Sequence, residues 1–249
     1  YKRQLAVDLS EATDAVKQGN FDHALSLLKF ILQDDPEHLD GLYLSAVSSR
    51  YLKNFEDSDN YLKRLLTVAP DMGRAYQELG HLNRDLGKEE QAVTHYRQAC
   101  ELNPALIASW NYLFQYFVKH KNKPAAEHAE LQIKKLNSLP ANLLYIDQIL
   151  NEGRLGMAES KCRAFLKENP THTYAMSLLA EIANRMGYFD DAEFLLQKAV
   201  EFSPNDGELR LKYASVLRKK QKFVQTMEQV NILCEPVSYT HLTLPTSPK

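Results

Sequence analysis

Cysteine is scarce in this chain: three in 249 residues, at Cys100, Cys162 and Cys234. An odd number at such wide spacing excludes a disulfide framework and a zinc site, and the three read as small buried thiols in a reducing compartment. An excess of one charge is also lacking. Thirty basic residues face 32 acidic ones, for a net charge of −2. No field of that size draws the chain to nucleic acid or to an anionic membrane. Runs of about 18 apolar residues, the length needed to cross a bilayer, are absent. No leader is visible, although a sequence that opens on Tyr1 leaves room for an upstream start. These absences suit the cytoplasm.

Motifs that carry chemistry are missing as well. The sequence contains no GxxxxGK[ST], GxGxxG, HExxH or GxSxG. Its histidines are scattered rather than grouped at ligand spacing. We therefore expect no catalytic residue, no cofactor and no metal in this chain.

What is present is a period. Pro36, Pro70 and Pro104 stand 34 residues apart, and so do Pro170 and Pro204. Other positions fall into the same register. A glycine recurs at Gly19, Gly87, Gly153 and Gly187, replaced by Lys53, Lys121 and Gln221. A small residue recurs at Ala24, Ser58, Ala92, Ala126, Ala158 and Ala192, and another at Ala12, Ala46, Gly80, Ala180 and Ala214. The stretch from Gly73 to Pro104 shows the unit in full. Tyr76, Leu79 and Gly80 share one helical face, Gly87 closes that helix, and Ala92, Tyr96 and Ala99 share a face of the next. Small residues let the two backbones approach closely. One such hairpin cannot bury its apolar face alone, so it stacks on neighbours of its own kind.

This pattern resembles the tetratricopeptide repeat, whose signature is an aromatic, Leu-Gly, a Tyr, then Ala, an aromatic, Ala and Pro; the Gly73–Leu106 unit matches best and lacks only the Tyr, where Asn83 stands. The resemblance implies an all-α, right-handed α-solenoid of about six and a half helix-turn-helix repeats. Their expected spans are 5–38, 39–72, 73–106, 107–138, 139–172, 173–206 and 207–236. Two units depart from the pattern. Phe114 and Ile146 stand where Gly80 stands in the third unit, and Ser138 replaces the closing proline. Bulky side chains there are expected to push paired helices apart and to change the superhelical pitch near Val118–Tyr145.

From Val237 the helical period ends. VSYTHLTLPT, Val237–Thr246, is similar to the translation of a sequencing adaptor. Residues 237–249 are thus expected to form a disordered tail foreign to the natural protein. On that reading the gene continues past residue 236.

In the tetratricopeptide architecture the first helix of each repeat lines the concave surface. The resemblance implies that its second, fifth, ninth, twelfth and thirteenth positions face a guest. They hold Tyr43, Arg50 and Tyr51, then Arg74, Gln77, His81, Arg84 and Asp85, then Asn111, Gln115 and Lys119, and later Arg185. Forked donors, amides and tyrosine rings suit an extended peptide. The expected role is a scaffold that binds a protein or extended peptide. A monomer is expected, with the apolar surface of the last unit as a route to dimers. An alternative starts from Cys162–Phe223, which looks like the repeat region preceding a sulfotransferase domain in some bacterial proteins. It makes the chain the N-terminal arm of a larger enzyme.

Overall fold

A computed structural model describes residues 9–234. Residues 5–8 of the first expected repeat and the expected tail at 237–249 lie outside the described residues.

Among those residues the chain is a file of α-helices. Helix α1 (Leu9–Lys17) packs on α2 (Phe21–Asp34), α3 (Leu39–Tyr51) on α4 (Phe55–Val68), α5 (Gly73–Asp85) on α6 (Glu89–Leu102), and α7 (Ile107–Lys119) on α8 (Lys123–Asn137). Then come α9 (Ala141–Asn151), α10 (Leu155–Glu168), the pair α11 (Thr173–Arg185) and α12 (Phe189–Phe202), and the pair α13 (Gly207–Lys219) and α14 (Phe223–Cys234). The chain divides into two compact units between Arg154 and Leu155. The first holds α1 to α9 and the second α10 to α14.

The turn after each first helix uses one left-handed residue. Gly87 has φ 73°, and the Lys88 N–H donates to the Asn83 carbonyl at 2.8 Å, closing the helix. Lys53, Lys121 and Gln221 take the same conformation at φ 64°, 55° and 59°, so these non-glycine replacements preserve the turn at some conformational cost.

Second helices end by a different device. Proline disfavours helical geometry in the residue before it. Asp35, Ala69, Asn103 and Ser203 accordingly swing out to φ near −131° to −142°. Each still donates its N–H to the carbonyl four residues back, at 2.8–2.9 Å. Ser138 occupies the place of the closing proline, and the chain does not turn out. Helix α8 runs on through Asn137, and Ser138 remains helical at φ −78°, ψ −12°. Pro140, two residues later, then starts α9. As a result α9 does not lie alongside α8 as α7 lies alongside α6.

The loss of packing between α8 and α9 falls in the stretch Val118–Tyr145, where a change of superhelical pitch is expected. Phe114 is half-buried and packs into the local core, and α7 and α8 remain closely paired. Ser138, in the place of the closing proline, keeps helical geometry here.

Among the described residues of the first unit the core includes three runs, besides the buried Leu143, Ile146, Ile149 and Leu150 of α9. Ala12, Ala15, Ala24 and Leu28 form one. Leu42, Ala46, Leu62, Leu65, Ala75, Leu79 and Leu82 form the second. Ala92, Val93, Tyr96, Cys100, Leu113, Phe117 and Ala126 form the third. In the second unit Ala180, Ala183, Ala192, Leu196 and Val216 pack together, and Met176, Ala199, Val200 and Leu209 extend that core. Cys100 and Cys162 are buried, and burial pushes both thiols up to about 12. Cys234 is exposed, because α14 has no buried residue.

Two outcomes follow for stability. Leu79→Ala or Leu196→Ala empties a buried site, and each should cost about 2–5 kcal/mol in denaturant unfolding. A Cβ on Gly80 would meet the buried Tyr96 ring at 2.7 Å. Gly80→Ala should therefore lower the melting temperature despite the better helix propensity of alanine, about 1 kcal/mol in its favour. A rise would show that the Tyr96 ring can move aside.

Candidate functional site on the first-helix face

In the first unit α1 touches α3, α3 touches α5, and α5 touches α7. First helices therefore share one face, and residues about 34 apart come side by side. The Arg74 Nη2 donates to Asp40 Oδ1 at 2.7 Å, the Arg50 Nη1 to Asp85 Oδ2 at 2.8 Å, and the Ser109 hydroxyl to Gln77 Oε1 at 3.0 Å.

Helix α9 crosses this face near the N-terminal ends of the first helices. The Gln148 side chain donates to the Ala105 carbonyl at 3.1 Å, and the Gln148 carbonyl accepts from Asn103 Nδ2 at 3.2 Å. Farther along, Glu152 Oε1 lies 3.0 Å from Arg74 Nε. Beyond Asn151, Arg154 pairs with Asp40. Two guanidiniums and two carboxylates thus form one cluster beside Tyr43, whose ring lies 4.4 Å beneath the Arg74 guanidinium. Burial opposes ionisation of Asp40, but Arg154 and Arg74 outweigh it and hold its carboxyl below the usual range. Burial wins at Glu152 and raises its pKa against the pull of Arg74 and Arg154. Burial also raises the Tyr43 hydroxyl, and the charge of Glu78 adds to the rise. A cavity of about 250 Å³ remains here, lined by Tyr43, Arg74, Gln77, Ile107, Tyr145 and Ile149 among others.

The other expected site residues occupy three settings. Arg50 is buried: its Nε donates to Glu78, and its charge lies 4.5 Å over the Tyr51 ring. Burial raises the Glu78 carboxyl, opposed by Arg50. His81 shares a hydrogen bond with the Tyr96 hydroxyl. Burial, with Arg50 and Arg84 nearby, lowers its pKa to about 4. Arg84, Asn111, Gln115 and Lys119 are exposed, and Tyr51 stacks on Phe21 with centroids 4.4 Å apart. Lys119 reaches Glu89 at 2.7 Å, and Arg84 reaches Asp85 at 2.8 Å. Arg185 belongs to the second unit, where its Nε donates to Glu181 at 2.8 Å.

Sequence reasoning missed Asp40, Glu78, Gln148, Glu152 and Arg154. Asp40 was within reach, since it holds the second position of its repeat, as Arg74 does in the next. Nothing local signals Glu152 or Arg154, which depend on the redirected α9.

A stack of helical hairpins with one lined face and no strand among the described residues defines a repeat scaffold. Models of the tetratricopeptide repeat match residues 73–106 and 174–206, and a second model of that repeat matches residues 9–58. Those stretches carry tetratricopeptide repeats, and the described residues form an all-α repeat solenoid. Human tetratricopeptide repeat protein 21B is 22% identical over 229 residues, covering 88% of this chain and 15% of that protein. The DnaJ homolog subfamily C member 7 homolog of Dictyostelium discoideum is 23% identical, covering 88% of this chain and 38% of that one. The chain therefore spans well under half of these relatives. Among solved structures, Naa15/Naa10 bound to HypK-THB matches with a TM-score of 0.46 and 16% identity, over 90% of this chain and 35% of that chain. No helix among the described residues is long and apolar enough to cross a membrane.

The His81 setting has a pH signature. Its folded pKa near 4 lies below the ordinary 6.5, so the neutral ring favours the fold. That contribution is complete above pH 6.5 and is lost as pH falls towards 4, amounting to ~2–3 kcal/mol. Unfolding free energies of the wild type and His81→Gln, compared between pH 7 and pH 4, should converge in this window. Parallel profiles would show that His81 does not titrate as a buried ring.

Proposed function

We propose that the half of the first-helix face left open by α9 takes an extended peptide from a protein partner. The residues in question are Tyr51, Arg84, Asn111, Gln115 and Lys119. Exposed Asn111 and Gln115 carry this reading, four residues apart on α7 and thus on one side of it. Each amide offers two donors and an acceptor, the complement of an extended backbone whose N–H and C=O groups need partners. The neighbouring cations already have acidic companions, Arg84 with Asp85 and Lys119 with Glu89. A carboxylate of the guest would share those cations rather than meet bare charge, which favours moderate affinity. The Tyr51 ring, 55% exposed, adds an apolar platform.

Selection of a displayed random-peptide library on the full chain would supply the ligand. Asn111→Ala with Gln115→Ala should then weaken the selected peptide about tenfold, roughly 1.4 kcal/mol. Both positions are exposed, so the melting temperature should stay unchanged. Unchanged affinity in the double variant would place the guest elsewhere.

A further inference from the structure

The covered half of the face carries a second inference, independent of the open half. Asp40, Tyr43, Arg74 and Gln77 hold guest-facing positions of their repeats, yet the chain's own Gln148–Arg154 segment sits on them. Its contacts reach three successive hairpins in order: Asn103 and Ala105 before α7, Arg74 at the start of α5, and Asp40 at the start of α3. The Gln148 main chain and side chain are both read, one by the Asn103 amide and the other by the Ala105 carbonyl. That pattern is how a groove recognises a bound segment. We propose that this is a recognition site for a helix whose C-terminal end carries a carboxylate followed two residues later by a guanidinium. Glu152 and Arg154 occupy it internally, and a partner segment of the same chemistry displaces α9.

Two features make exchange feasible. The fit leaves room: Glu152 Oε2 lies 3.3 Å from Arg154 Nε, a looser contact than the 3.0 Å between Glu152 Oε1 and Arg74 Nε, and a cavity of about 250 Å³ borders the pair. Second, α9 lacks the lateral seat on α8 that every other second-to-first junction of the first unit has, so its hold on this face is a separate contact. The internal segment competes through its high effective concentration, not through an optimised interface.

The probe is a fluorescein-labelled synthetic peptide of residues 139–156, read by anisotropy against the full chain. The variant E152A/R154A, which empties the site, should bind this peptide at least tenfold more tightly than the wild type. Adding Arg74→Ala to that variant should reverse the gain, and a peptide carrying the same two alanines should bind neither protein. The inference is overturned if the variant, with wild-type helicity by circular dichroism, takes up the peptide no better than the wild type. It is equally overturned if Arg74→Ala leaves uptake unchanged. Should E152A/R154A lose helicity, Arg154→Lys keeps the charge while removing the fork. Increased uptake by that variant supports displacement, and wild-type uptake rejects it.

Discussion

Close approach between the two helices of a hairpin is the constraint on which the rest depends. At the crossing the side chains must be small. Ala24, Ala92, Ala158 and Ala192 have no exposed surface, and neither do Ala12, Ala46 and Ala180. The one serine in this series shows how near the backbones come. Ser58 Oγ donates to the Ala46 carbonyl of the preceding helix at 2.9 Å, so the hydroxyl is satisfied where an alanine would otherwise fit. At Gly80 even a methyl group would collide with Tyr96. Hairpins closed this tightly are thin slabs, and thin slabs stack with a repeat of about 34 residues. Stacking then aligns equivalent positions of successive first helices. Arg74 meets Asp40 in the first unit, and in the second the Lys212 ammonium reaches Ser177 at 3.0 Å and Lys219 reaches Asn184 at 2.9 Å.

That alignment governs the chemistry of the face. Residues that look like free anchors in the sequence become neighbours, and neighbours of opposite charge pair. Arg50 is the clearest instance. Its repeat position suggests a donor offered to a guest, yet it is 7% exposed and bound by Glu78 and Asp85. What the face presents outward is therefore mostly amide, aromatic ring and already paired charge. Such a surface selects by hydrogen-bond pattern and shape more than by long-range attraction, in keeping with a net charge of −2.

Much of this was legible from the residues alone. The prolines and glycines mark helix ends for stereochemical reasons, so their period pointed to the helix ends, although the expected repeat 139–172 is divided between the two compact units at Arg154 and Leu155. The small-residue series gave the helix contacts, and the break in the proline series pointed to the stretch where the stack changes. Legibility failed at two kinds of place. A proline's absence tells that the chain will not turn out at Ser138, but not where α9 then goes, because that depends on side chains from 45 to 114 residues away. The ionic partners of Arg74 and Asp40 were hidden for the same reason: Glu152 and Arg154 lie in another repeat, outside any local pattern. Burial of Arg50 was hidden because one periodic position does not reveal whether its neighbour in the stack is acidic.

The cluster at Asp40, Arg74, Glu152 and Arg154 is balanced in a way that bears on what it is for. Two positive and two negative groups leave no net charge, so burial is tolerable. Burying ions still costs several kcal/mol each, and their mutual attraction offsets this only when every lone pair and proton is matched. Here one Glu152 oxygen stands 3.3 Å from Arg154 Nε, and burial still raises the Glu152 carboxyl beside two guanidiniums. An apolar set of equal volume would hold α9 at least as firmly. What the ions supply is register: Glu152 and Arg154 meet Arg74 and Asp40 together in one alignment, whereas a slip by one residue breaks both cross-contacts and leaves only the Arg74–Asp40 and Glu152–Arg154 pairs. A contact that specifies position while adding little net stability is suited to being made and broken. The surplus of recognition over stability at this end of the face argues for a site whose occupant can change.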